Sequence, residues 1–154
     1  PGVKRLIDEA RQRGFRLAIA TTTTPENVTA LLTHTLGAES IDWFEVIAAG
    51  DIVPAKKPAP DIYDYTLKEM NLSADECIAF EDSANGIKSS TGANLNTIIT
   101  INDYTKDHDF DDASIVLDQM GEPEHPFSVI AGNSGSASFL NCDLVLQLHQ
   151  KRST

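Results

Sequence analysis

Residues 77–86 read CIAFEDSANG, and this stretch decides the fold. Cys77 to Phe80 is a short apolar run of strand length, closed by two carboxylates that are poor core material. A helix is expected over Ala84–Ser90, and a second apolar strand over Thr97–Ile101. A strand, a helix and a further strand in close succession is the unit of a parallel sheet.

The same alternation continues outward. Upstream, Val3, Leu6, Ile7 and Ala10 lie at helical spacing, with Pro1 suited to a first turn and Gly14 ending the helix. Phe15–Ala20 reads as a buried strand, Pro25 opens a helix carrying Val28, Leu31 and Leu32, and Glu45–Ala49 reads as another strand. Pro58 and Pro60 are expected to hold Lys56–Asp61 extended, because a residue before proline avoids the helical region. A helix over Asp61–Met70 follows. Downstream, Ser114–Leu117 is a last short strand, Gly132–Ser138 a loop by composition, and Phe139–His149 a final helix. The fold class is therefore α/β, a parallel sheet with helices on both faces. Residues 1–126 are read as a partial core domain and residues 127–154 as a C-terminal loop and helix.

Composition narrows the partners. The net charge is -11, from 23 acidic and 12 basic residues, a field that repels nucleic acid and anionic membranes. No run approaches the roughly 20 apolar residues that cross a bilayer. Cys77 and Cys142 have neither metal-type spacing nor a disulfide framework, which fits a reducing, cytoplasmic setting, or plastid stroma in a photosynthetic eukaryote. The chain starts Pro1-Gly2-Val3 without a Met, and is expected to be part of a longer protein.

In open parallel sheets, ligands bind beyond the carboxyl ends of the strands. Thr21-Thr22-Thr23-Thr24 follow the first strand and offer hydroxyls and backbone N–H groups to an anion; the alternative is that they only cap the next helix. Lys56 and Lys57 follow the second strand on a proline-braced segment, Lys57 as a point charge for phosphate and Lys56 as a solvated neighbour; a solvated loop is the alternative for both. Glu81 and Asp82 follow the third and suit Mg²⁺, which takes carboxylate, water and phosphate oxygens; the alternative is an acidic helix N-terminus. A hydroxyl nest, a cation and a carboxylate pair at three strand ends make a phosphoryl-transfer site without its nucleophile.

LAIAT (17–21), KPAPD (57–61) and IAFEDSANG (78–86) resemble, in order and spacing, motifs two, three and four of the haloacid dehalogenase-like hydrolases. ATTTTPENV, WFEVIAAGDIVPAKKPAPDIY and Tyr104–Phe110 look closest to the CbbY-like subgroup, with phosphoglycolate phosphatases and β-phosphoglucomutases as near neighbours. The resemblance implies a Rossmann-like core and a Mg²⁺-dependent phosphatase acting on a small phosphorylated sugar or organic acid. Some members of the subgroup hydrolyse xylulose bisphosphate. It also implies roles. Thr21, helped by the backbone at Thr22, hydrogen-bonds the transferring phosphoryl group. Lys57 neutralises developing charge. Asp82 with Glu81 holds Mg²⁺, and Ser83 and Asn85 order that loop.

The family's nucleophilic Asp and its acid–base Asp belong to a D-x-D-G-T motif, which this sequence lacks; Asp103, Asp107, Asp109, Asp111 and Asp112 have no Gly-Thr after them. The cap domain inserted between motifs one and two is absent too. The chain alone is thus expected to be inactive, with its central nucleophile strand missing and an N-terminal segment of the same protein as partner. Leu17, Ile19, Ile78 and Phe80 would line the open slot. A non-catalytic module keeping the phosphate and metal pocket is the main alternative. A receiver domain fits less well, because the first strand ends in Thr21 rather than acids. A dinucleotide-binding fold fits least, since no G-x-G-x-x-G follows a strand.

Overall fold

The structure, a computed structural model, describes residues 2–151. The expected place of Pro1 in a first turn lies outside them. The first helix, α1 (Val3–Gln12), buries Leu6 and Ala10 and leaves its charged face to water. β1 (Ala18–Ala20) follows, then α2 (Pro25–Leu36), β2 (Val46–Ala48) and α3 (Asp61–Met70). α3 has the bounds expected from sequence. β3 (Ile78–Glu81), α4 (Ala84–Gly92), β4 (Asn96–Thr100), β5 (Ile115–Leu117), β6 (Val129–Ala131) and α5 (Cys142–Lys151) complete the order.

Two local predictions are corrected. Lys56–Asp61 is not extended: the Lys57–Pro58 peptide is cis and the Ala59 N–H reaches the Lys56 carbonyl at 3.0 Å, the pattern of a turn with cis proline at its third position. The last helix starts at Cys142 rather than Phe139, because the Asn141 side chain accepts from the Leu144 N–H at 2.8 Å and caps it.

The strands form two sheets. β1 and β2 pair in parallel, while β3, β4 and β5 pair in parallel with β6 antiparallel at the far edge. Among the described residues β1 has no ladder to β3, which leaves a gap in the hydrogen bonding between the two sheets. Leu17, Ile19 and Ile78 are only half-buried, and Phe80 is 37% exposed.

Both faces of the gap are spanned by shared packing. On one side, α3 seats Ile62 and Tyr63 against Ala48 and Ala20 of the first sheet and Ala79 of the second. On the other, Leu17 and Ile78 pack on the cluster formed by α1, α5 and the strands β4 and β5. α2 covers the outer face of β1–β2 through Val28 and Leu32, and α4 covers β4–β5 through Ile87. Leu140, Cys142, Leu144, Val145 and Leu148 share a core with Leu6 and Ala10, so residues on both sides of position 126 build one layer.

Candidate active site

The site grows from where β1 and β3 stop. β1 ends at Ala20, where the Thr21 N–H still bonds the Ala48 carbonyl at 2.9 Å, so Thr21 leaves the sheet in a fixed direction. Its hydroxyl then accepts the Thr23 N–H at 3.2 Å, and the Thr24 hydroxyl caps α2 by accepting the Asn27 N–H at 3.3 Å. The four threonines thus divide their work. Thr24 is the cap, Thr21 orders the turn at the strand end, and Thr22 is exposed.

β3 ends at Glu81 and Asp82, and Ser83 starts α4 by accepting the Gly86 N–H at 3.0 Å. Asn85 lies exposed in that helix's first turn. Gly86 is required there for space: a Cβ would stand 2.2 Å from Glu81 Oε2. The missing side chain is what lets the Glu81 carboxylate lie flat against the start of α4.

The turn at Lys56–Ala59 then delivers Lys57 between the two strand ends. Its ammonium donates to the Ala20 carbonyl at 3.1 Å and to Glu81 Oε1. One side chain therefore clasps the first sheet to the second at their carboxyl ends. The pair is well shielded, with side-chain exposures of 15% for Lys57 and 8% for Glu81, where each charge depends on its partner. Lys56, by contrast, makes an exposed ion pair with Asp51 at 2.9 Å.

Three residues in this neighbourhood were not singled out from sequence. Tyr63 donates its hydroxyl to the same Glu81 Oε1, and the Lys57 ammonium stands 5.3 Å from the centre of its ring. Burial, and then the negative charge of Glu81, push the Tyr63 phenol far above its ordinary range, so it stays protonated and donates. The Asn102 amide approaches Asp82 Oδ2 at 3.5 Å, and His108 Nδ1 accepts the Ala84 N–H at 3.0 Å. The one signal for Tyr63 was a polar-tipped aromatic on the buried side of a helix that starts beside Lys57.

Magnesium would meet Asp82 most openly. Lys57 and Tyr63 both take Glu81 Oε1, whereas Asp82 is exposed and keeps lone pairs open. Among the described residues no three His, Cys, Asp or Glu side chains gather as a metal cage. Mg²⁺ commonly binds through one or two carboxylates, water and substrate phosphate, and Asp82 can supply one of these positions.

The arrangement matches a known family. Residues 1–94 fit the model of the haloacid dehalogenase-like hydrolases. The chain belongs to this family. Protein CbbY of Rhodobacter capsulatus is 51% identical over 110 residues, covering 71% of this chain and 48% of that protein. The crystal structure of CbbY from Rhodobacter sphaeroides in complex with phosphate superposes with a TM-score of 0.75 at 44% identity, over 77% of this chain and 53% of that one. A variant of that protein has been solved with xylulose 1,5-bisphosphate, at the same score and coverage. β-Phosphoglucomutase from Clostridium difficile shares the fold at 18% identity, with a TM-score of 0.70 over 99% of this chain and 57% of that one. This haloacid dehalogenase-like chain spans about half the length of the CbbY proteins it matches. The α/β class and the CbbY-like subgroup read from its motifs agree with these relatives.

Proposed function

We propose that this chain carries the phosphate-holding part of a CbbY-like, Mg²⁺-dependent phosphatase for a small phosphorylated sugar, with xylulose bisphosphate as first candidate. The observation that carries the reading is Lys57 held between the Ala20 carbonyl and Glu81, at the mouth of the gap between the sheets. A phosphoryl group placed there meets a shielded cation and the turn at Thr21 and Thr22. It also meets Asp82, which would hold Mg²⁺ and so place positive charge beside the phosphate oxygens. Glu81 serves chiefly to fix Lys57, Ser83 caps α4, and Asn85 borders the loop.

In this reading the chain is a partial core, to which residues beyond 126 contribute Leu140, Leu144 and Leu148. The gap between β1 and β3 takes the family's aspartate-bearing strand, without which the chain turns over no substrate because no covalent intermediate forms. The setting is cytoplasmic. Relatives support the substrate class, since a CbbY structure holds xylulose 1,5-bisphosphate. The test is phosphate release from xylulose bisphosphate and other sugar phosphates with Mg²⁺. The chain by itself should release none. A full-length form carrying the D-x-D-G-T motif should release phosphate, and lose about two or more powers of ten in rate with Lys57→Ala or Asp82→Ala. Near-normal rates in those variants would overturn the assigned roles. A silent full-length form that still binds phosphate would favour a non-catalytic module.

A further inference from the structure

Residues 89–91 read SST, three hydroxyls in a row near the end of α4, and they are used differently. A hydroxyl inside a helix ordinarily turns back onto a carbonyl about one turn earlier in the same helix. Ser90 and Thr91 do so, donating to the Ile87 carbonyl at 3.2 and 2.7 Å. Ser89 instead reaches off the helix and donates to the Ala59 carbonyl at 2.6 Å. Ser89 is fully buried, and among the described residues no backbone N–H reaches that carbonyl. Alanine would fill the position nearly as well and suits a helix better, so packing alone does not account for the hydroxyl.

Ala59 closes the turn that delivers Lys57, since its own N–H bonds the Lys56 carbonyl at 3.0 Å. A second contact braces the same turn from the same helix. A Cβ on Gly92 would stand 3.2 Å from the Pro60 side chain, so the bare glycine lets α4 lie directly on the residue after Ala59. At its other end α4 begins at the Ser83 cap, next to Asp82. One short helix therefore touches both halves of the site. Its first turn follows the carboxylates, and its last turn holds the loop of the cation, about 9 Å further along the axis at 1.5 Å per residue.

We infer that Ser89 is a positioning residue for Lys57: its hydroxyl ties the Lys56–Ala59 turn to α4 and so sets where the ammonium stands relative to Asp82. This rests on the roles of Lys57 and Asp82 in the proposed function and adds the residue that fixes their spacing.

The experiment follows the Lys57 side chain by ¹H–¹³C NMR of the 154-residue chain grown with ¹³C-lysine. The Tyr63 ring centre lies 5.3 Å from the Lys57 ammonium, so its ring current should set the Lys57 ε-methylene signal apart from those of exposed lysines such as Lys56. Loss of the signal in Lys57→Arg assigns it. Ser89→Ala should move it toward the exposed lysines. Ser90→Ala is the control: it removes an equally buried hydroxyl from the same helix, one that pairs with Thr97 at 2.6 Å, and should leave the Lys57 signal in place. An unmoved signal in Ser89→Ala, or an equal displacement in Ser90→Ala, overturns the inference. Should Ser89→Ala not fold, Ser89→Cys, with a weaker donor in nearly the same volume, decides by the same signal. Turnover of the full-length form separates this inference from the function it rests on. There Ser89→Ala should lower kcat about tenfold with KM little changed, and Ser90→Ala should not. A normal kcat in Ser89→Ala while Lys57→Ala is impaired overturns the positioning role. A displaced signal with Lys57→Ala near normal overturns the proposed role of Lys57 instead, and upholds the hold of Ser89 on it.

Discussion

The two sheets are built from similar residues but are buried very differently. In the four-stranded sheet Ile98, Ile99, Ile115 and Leu117 are at most 1% exposed, because α1 and α5 cover one face, α4 the other, and β4 and β5 have neighbours on both edges. In the two-stranded sheet β1 is half-buried along its length, although α2 and α3 cover its faces. Covered faces are not enough. A strand with one unpaired edge keeps its backbone open to water or to another strand, and here that edge is the one beside Lys57.

The contrast can be broken by mutation. Leu117→Ala removes a fully buried side chain from the larger sheet and should cost about 2–5 kcal/mol in urea unfolding, whereas Ile19→Ala beside the gap should cost roughly 1–2 kcal/mol. Equal costs would mean that the first sheet is as well packed as the second. Amide hydrogen exchange sharpens the comparison without mutation. The N–H groups of Ile98, Ile99 and Val116 should be protected by about two powers of ten more than those of Ile19 and Ile47. Uniform protection would show that the sheets open as one unit.

Smaller effects separate the ends of the elements from their middles. Thr24→Ala removes the cap of α2 and should cost about 1 kcal/mol, and a cost near zero would assign the four threonines to the anion alone. A further effect is one of pH. The buried Cys142 thiol is pushed up from 9.0 to about 11, chiefly by burial and then by its hydrogen bond with Glu9. The folded chain therefore keeps a proton that the unfolded chain releases, so stability should fall as pH rises from about 9 to about 11. Cys142→Ala should flatten that slope in a pH series of unfolding curves.

Much of this was legible in the sequence because it is local. Pro60 and the run Asp61–Met70 specify α3 to the residue, and the apolar stretches mark β1 to β5 to within a few positions. The carboxylates at 81 and 82 mark a strand end by their unfitness for the core. β6 was missed, since Val129–Ala131 is too short to show alternation, is exposed along its length, and becomes a strand only by pairing with β5. The turn at Lys56–Ala59 was misread because proline rules constrain the preceding residue but leave the peptide isomer to its surroundings.

By itself, then, the sequence determined the alternation of strands and helices, the family motifs, and the placing of Thr21, Lys57 and Asp82 after successive strands. The tertiary structure decided that Glu81 meets Lys57, that Tyr63 shares its oxygen, and that Gly86 makes the room. Residues 57, 63, 81 and 86 lie on different elements, and no spacing along a chain records which side chains meet once α3 and α4 pack around the end of β3.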